Sequence, residues 1–266
     1  MKVESHSCEV LQHDWVNARY KYLRLRCPAP LARATVAGQF FQLACPHGET
    51  EQPFLRRPMS VYGIGPQDER IEFLYHVKGV GTRALERLRP GGTLEMFGPL
   101  GRGFRFSPQW QRILLVARGV GLATMAPLVP LAARAGVGIT ALLSARAPSD
   151  LMQEEFLRGA QAQVHAVYDS DGSSAVDRVE ALLRDVLLRQ RFDMVYTCGS
   201  NRLLFLMQKM QMRGEAALEQ QMACAMGVCL SCVRLFNEGG EKVFRRVCCE
   251  GPVFPIATVS GEVQFG

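Results

Sequence analysis

The sequence predicts a multi-domain α+β protein with three parts: a small antiparallel β-barrel over residues 1–105, a doubly wound α/β domain over 106–216, and a small cysteine-rich domain over 217–266. Three observations lead there. Short alternating apolar runs, punctuated by Gly and Pro, fill the first hundred residues. Continuous apolar runs then alternate with helical stretches. From about Leu218 the chain becomes rich in Cys, Gly and Met.

The barrel strands come first. In "YLRLRC", Leu23, Leu25 and Cys27 alternate with Arg24 and Arg26, the period of a half-buried strand. In "RIEFLYHV", Ile71, Phe73, Tyr75 and Val77 form one face, with Glu72 and His76 on the other. "GQFFQLAC" and "GTLEMFGP" add further strands, and an antiparallel barrel is the natural outcome. "GPLGRGFRFSPQW" reads as a linker. Beyond it, "RILLVA", "GITALLSA", "QVHAV" and "DMVYTC" read as buried strands. Helical stretches alternate with them: a segment running to Ala135, then "SDLMQEEFLRG", "SAVDRVEALLRDVLLRQ" and "NRLLFLMQKMQM". That alternation predicts a parallel sheet.

Composition narrows the function classes. The chain has 266 residues, 48% apolar and 21% charged, the balance of a globular protein. The formal charge of +6 is mild, and no dense Lys/Arg tract with interleaved aromatics occurs, so nucleic acid is not an expected partner. Acidic cofactor phosphates or an acidic protein surface suit this charge better. "MKVESHSCEVLQHDW" has no apolar core of signal-peptide type. The most apolar region, residues 113–143, is broken by Arg118, Pro127, Pro130 and Arg134, so no membrane span is expected. A cytoplasmic location follows as the expectation.

A reducing cytoplasm discourages disulfides, so nine cysteines need another explanation. Cys8, Cys27, Cys45 and Cys198 are scattered and read as small buried side chains. The other five fall within residues 224–249, where an even spread would place about one. Cys224, Cys229 and Cys232 are spaced C-x4-C-x2-C, with Cys248 and Cys249 downstream. This is the plant-type spacing for a [2Fe–2S] cluster, in which a loop wraps the metal and points backbone N–H groups at sulfur. Ala223, Ala225, Gly227 and Ser231 are small enough to permit it. Structural zinc is the alternative, but it favours pairs of C-x2-C knuckles, and only one such pair is present. Spacing leaves Cys248 and Cys249 both open as fourth ligand.

Three stretches are candidates for nucleotide contacts. "RRPMS", Arg56 to Ser60, sets a guanidinium beside a rigid proline and a hydroxyl. "GVGTRALERL" is a glycine turn with Thr82 as the expected N-cap of a short helix, whose start would suit a pyrophosphate. "ARGVGLATMAPL" places Gly119 and Gly121 between a strand and a helix, although Ala123 and Thr124 break the full G-x-G-x-x-G pattern. A barrel turn and a surface arginine pair are the bland readings of the first two. Asp169 and Asp171 in "YDSDGS" read as turn chemistry rather than an acid–base pair.

Taken in order, "AGQFFQLACP", "FLRRPMSVY", "FLYHVKGVGTRAL", "FGPLGRGF", "GVGLATMAPL", "VYTCGS", "CAMGVCLSC" and "VCCEGPVF" span nearly the whole chain. Together they resemble the electron-transfer subunits of the heteromeric, NAD-linked dihydroorotate dehydrogenases, within the ferredoxin-reductase-like flavoproteins. The resemblance implies an FAD-binding barrel, an NAD-binding α/β domain and a C-terminal [2Fe–2S] domain. It implies Arg57, Pro58, Met59 and Ser60 as the flavin motif, with Arg57 toward the pyrophosphate and Ser60 near the isoalloxazine. Leu74, Tyr75 and His76 match a second flavin-contacting stretch, and Gly81 and Thr82 the phosphate turn. It also favours Cys248 as the fourth cluster ligand. Three departures stand out: His76 where an arginine is common, Arg118 where the nucleotide loop usually has glycine, and "CGS" in place of "CGP".

The implied activity is electron transfer in pyrimidine biosynthesis. Electrons from an FMN-containing catalytic subunit would pass through the cluster and FAD to NAD, within a hetero-oligomer, a heterotetramer in this expectation. No acid or base is required, so no catalytic residue is named. An FAD/[2Fe–2S] reductase subunit of another complex, such as a ferredoxin:NADP oxidoreductase or a sulfide dehydrogenase, uses the same cofactors with a different partner. A zinc-stabilised, non-redox binding module is the reading from another class.

Overall fold

The computed structural model describes residues 3–48, 52–152 and 154–261. It divides into two compact units, each assembled from separated stretches of chain. The first contains the residues up to Phe104 together with Gln220–Val233 and Arg246–Pro252. The second contains Arg105–Glu219, Arg234–Arg245 and the chain from Val253 onward.

The first unit is built on a closed antiparallel barrel. Its strands are β1 (Glu4–Trp15), β2 (Tyr20–Arg26), β3 (Phe40–Leu43), β4 (Arg57–Gly65), β5 (Arg70–His76) and β6 (Thr93–Leu100). Around the barrel they run β1-β2-β5-β4-β3-β6, and β6 closes on β1 with Ser5 opposite Phe97. Two short helices lie between strands, α1 (Ala29–Ala34) and α2 (Val80–Glu86). Leu23 and Leu25 are fully buried while Arg26 is exposed, as the alternation of β2 requires. Phe41 and Phe73 meet edge to face at 6.0 Å in the centre of the barrel, a favoured aromatic geometry.

β5 differs from its expected two-faced pattern. Glu72 and Leu74, on the outer face, are buried as well as Ile71, Phe73 and Tyr75. The carboxylate tolerates burial because Arg24 and Arg70 reach it at 3.2 and 2.9 Å. Gly63 opposite makes the room, since a Cβ there would lie 2.1 Å from the Glu72 carboxylate. The N-cap of α2 is Gly79 and not Thr82. Thr82 sits three residues in, where its hydroxyl accepts from the N–H groups of Lys78 and Gly79 at 2.9 and 3.0 Å.

The second unit holds a six-stranded sheet. Its elements are β7 (Arg112–Arg118), α3 (Gly121–Met125), α4 (Leu128–Ala135), β8 (Gly138–Ala145), α5 (Glu154–Gly159), β9 (Gln163–Tyr168), α6 (Val176–Arg189), β10 (Met194–Cys198), α7 (Asn201–Lys209) and β11 (Gly214–Ala217). A hairpin of β12 (Val233–Glu238) and β13 (Glu241–Arg246), then α8 (Val247–Glu250) and β14 (Val253–Pro255), follow in the chain. The sheet order is β14-β11-β10-β7-β8-β9, all parallel except β14, which pairs antiparallel with β11. The expected helix to Ala135 is two helices, because Pro127 has no N–H to continue α3 and instead caps α4. Of the stretch expected to be helical before Gly159, only the part from Glu154 is α-helix, and Gln153 lies outside the described residues. Among the described residues no helix is long and apolar enough to cross a membrane.

Phe73 is fully buried against Phe41. Phe73→Ala is therefore expected to cost about 3–5 kcal/mol of folding stability, read as a lowered denaturant midpoint.

Candidate metal centre and cofactor sites

The clustered cysteines all fall in the first unit. Cys224, Cys229 and Cys232 lie on one loop, and Cys248 and Cys249 on α8. The loop turns left-handed at Ala225 (φ 54°), Gly227 (φ 78°) and Leu230 (φ 61°). Such turns gather N–H groups into a concavity suited to anions and iron–sulfur centres. Met226 and Cys229 each donate a backbone N–H to Cys224 Sγ at 3.4 Å. A Cβ on Gly227 would lie 2.8 Å from Cys249 Sγ, so glycine is required there for space as well as for its dihedral angle.

The thiols interact as two pairs, Cys224 with Cys229 and Cys232 with Cys248. Among the described residues no three His, Cys, Asp or Glu side chains converge tightly enough to hold a single ion. Two cysteine pairs suit the two irons of a [2Fe–2S] centre better than one tetrahedral zinc. The Ser231 hydroxyl, with backbone hydrogen bonds and the Cys224 thiol, lowers the Cys229 pKa to about 6, favouring the thiolate a metal takes. Burial raises that of Cys248, beside Cys232.

On the barrel, folding brings the two candidate flavin stretches together. A Cβ on Gly81 would lie 2.3 Å from Arg57 Nε, so the glycine lets the guanidinium rest against the turn that begins α2. Arg57 also donates to the Leu55 carbonyl at 2.5 Å. Ser60 is half-buried opposite Phe40, Pro58 lies opposite Gln42, and Met59 packs on the barrel core. His76 packs its ring on Tyr20 at 4.9 Å. Tyr75 turns inward: it is 2% exposed, and its hydroxyl lies 2.8 Å from His13 Nε2. A cofactor on the outer face therefore meets its backbone, not its ring. The Thr82 hydroxyl is engaged by its own turn, which it shapes.

In the second unit the strand order reverses between β7 and β10, the position where open α/β sheets form a ligand crevice. Gly119 has φ 53° in the turn after β7, and Gly199 has φ 90° in the turn after β10. The two turns interlock without side chains. A Cβ on Gly121 would lie 2.4 Å from the Cys198 carbonyl oxygen, and one on Gly199 2.2 Å from that of Arg118. A cavity of about 170 Å³ beside them is lined by Thr197, Cys198, Ser200, Asn201, Ala217 and Glu219, among others. The Thr197 hydroxyl is buried with no partner among the described residues.

This geometry agrees with what the chain is similar to. The family model for the iron–sulfur cluster binding domain of dihydroorotate dehydrogenase B matches residues 219–260. The dihydroorotate dehydrogenase B (NAD(+)) electron transfer subunit of Desulforamulus reducens is 31% identical over 88% of this chain and 90% of its own length. That of Streptococcus pneumoniae strain R6 is 31% identical over 86% of this chain and 89% of its own. The chain belongs to this family of electron transfer subunits. A solved structure of an NADH-dependent reduced ferredoxin-NADP oxidoreductase shares the fold, with a TM-score of 0.77 at 24% identity over 95% of this chain and 89% of that one.

Within the dihydroorotate dehydrogenase B electron transfer subunit fold, residues at the crevice take contacts that the sequence reading did not assign to them. Gly199 and Ser200 are one example: Ser200 caps α7 by accepting the Leu203 N–H at 3.3 Å, a signal visible in "CGSNRLL". Arg118 is another. It does not project freely from the loop but donates to Ser144 Oγ at 2.7 Å and forks onto Asp169 at 2.5 and 3.2 Å. Asp171 accepts from Ser173 N–H at 2.8 Å, the turn chemistry expected of it.

The Arg118 fork and the Ser174 hydroxyl lower the Asp169 pKa from 3.8 to about 2. A depressed folded-state value stabilises above the ordinary carboxylate pKa, and that contribution is lost as pH falls through the folded value. Wild type is therefore expected to be more stable than Asp169→Asn near neutrality. The difference, read from thermal melts, should vanish as pH falls from about 4 to about 2.

Proposed function

We propose that this chain carries electrons between an FMN-containing dihydroorotate dehydrogenase catalytic subunit and NAD, through a [2Fe–2S] cluster and FAD, in pyrimidine biosynthesis. The observation that carries the reading is the composition of the first unit. The cysteine loop and α8 belong to the same compact body as the reductase-type barrel. When bound, FAD supplies the switch between two-electron and one-electron chemistry, and the cluster supplies a one-electron relay.

The residues divide the work as follows. Cys224, Cys229, Cys232 and Cys248 hold the cluster, with Cys248 favoured over Cys249 because it is buried and paired with Cys232. Arg57 neutralises the FAD pyrophosphate beside the Gly81 turn, and Pro58, Ser60, Leu74 and His76 belong to the outer strands along the flavin. Gly119 and Gly121 keep the β7 turn bare so that a dinucleotide backbone can approach. In domain terms the barrel to residue 105 binds FAD, 106–216 binds NAD, and 217–266 holds the cluster. The partnership is a hetero-oligomer, a heterotetramer in the simplest form, and its location is the cytoplasm.

An anaerobic visible spectrum of the purified protein tests this directly. Flavin and iron–sulfur bands that bleach on adding NADH are expected, and a colourless, zinc-containing protein would refute the reading. Cys229→Ser should abolish electron transfer to an external acceptor protein while NADH still reduces the flavin. Arg57→Ala should weaken FAD binding by about tenfold or more, as loss of a charge-assisted hydrogen bond predicts, in a fluorescence titration of the apoprotein.

A further inference from the structure

The outer face of the barrel holds a buried amide with nothing to bond. Gln42 lies on β3 between Pro58 of β4 and Phe97 of β6. It is 2% exposed, and neither its amide nitrogen nor its amide oxygen has a hydrogen-bond partner among the described residues. A buried amide left in that state is costly, and native proteins rarely keep one without a use. Gln42 is among the residues lining a cavity of about 400 Å³, whose apolar walls include Phe54 and Phe97 and whose polar groups come from Ser5, Arg56 and Cys224.

Taking Cys224 as a cluster ligand, which rests on the function proposed above, we propose that Gln42 donates an amide N–H to Cys224 Sγ and thereby raises the reduction potential of the centre. The cavity sorts the two ends of the amide. Arg56 donates only, and Ser5 can donate, so both suit the amide oxygen. Cys224 is the one lining side chain that carries negative charge once ligated, and a thiolate draws the N–H end. The loop supplies the other donors to that sulfur, Met226 and Cys229, both at 3.4 Å. Gln42 adds one from the barrel, on the strand next to Arg57–Ser60. Reduction makes the centre more negative, so a donor at sulfur stabilises the reduced form more than the oxidised one and the potential rises.

The test is a redox titration of the holoprotein followed by electron paramagnetic resonance of the reduced cluster, with iron and sulfide counted in each sample. Gln42→Leu removes the donor. Gln42→Glu keeps the side-chain shape while replacing the N–H with an acceptor, and it serves if the leucine variant does not assemble. At the poise that half-reduces wild type, the expected ratio of reduced to oxidised cluster falls about tenfold in Gln42→Leu, equal to 59 mV for a one-electron couple. In Gln42→Glu it falls further. A variant with full iron content that titrates with wild type overturns the assignment to Gln42 and leaves the cluster reading standing. Wild-type protein without iron or sulfide overturns both.

Discussion

The proposed metal centre depends on joining two stretches of chain, since the clustered thiols lie on the loop ending at Cys232 and on α8 beyond residue 247. The β12–β13 hairpin makes that join. Gly239 (φ 61°) and Gly240 (φ 90°) form a turn with two left-handed residues, the kind whose twist matches paired strands. The hairpin then returns Val247 to donate its N–H to the Cys232 carbonyl at 3.1 Å. That bond sets Cys248 beside Cys232, and the left-handed loop folds Cys224 onto Cys229. The segment is also tied to the barrel. Arg102 donates to the Gly251 carbonyl at 2.5 Å, and Gly101 has no Cβ because one would lie 2.5 Å from that same oxygen.

A similar economy of side chains operates wherever backbone must come close. Gly81 yields its space to Arg57, Gly121 and Gly199 to neighbouring carbonyls, and Gly227 to Cys249. In each case the requirement is long-range sterics, so the residue type is visible in the sequence but its reason is not. Arg118 shows the converse. It stands at the crevice of the sheet with its charge already engaged by Asp169, fifty-one residues on. The nucleotide loop therefore presents its backbone while its one cation is held to the side.

Much of the fold was legible because periodicity reports burial directly. Leu23 and Leu25 alternate as a half-exposed strand must, and "RILLVA" and "DMVYTC" are continuous because their strands are covered on both faces. The C-x4-C-x2-C spacing singled out the stretch that the iron–sulfur family model matches, because ligand spacing is itself a local constraint. Three things escaped. β11, "GEAA", has weak strand propensity and a buried Glu215 that is satisfied by Arg105, far off in sequence. The hairpin signal in "NEGGEK" was present but hidden beside the cysteines. Gln42 needed the barrel's closure to decide which way it points, whereas the period of β5 already set Tyr75 on the inner face with Ile71 and Phe73.

The chain passes between its two compact units five times, at residues 104/105, 219/220, 233/234, 245/246 and 252/253. No single cut yields either unit as a contiguous fragment. In chain order the barrel strands precede the pieces that complete their unit, the last of which runs Arg246–Pro252. A barrel cut off at Phe104 would therefore keep its six strands and lack every cysteine of the candidate centre.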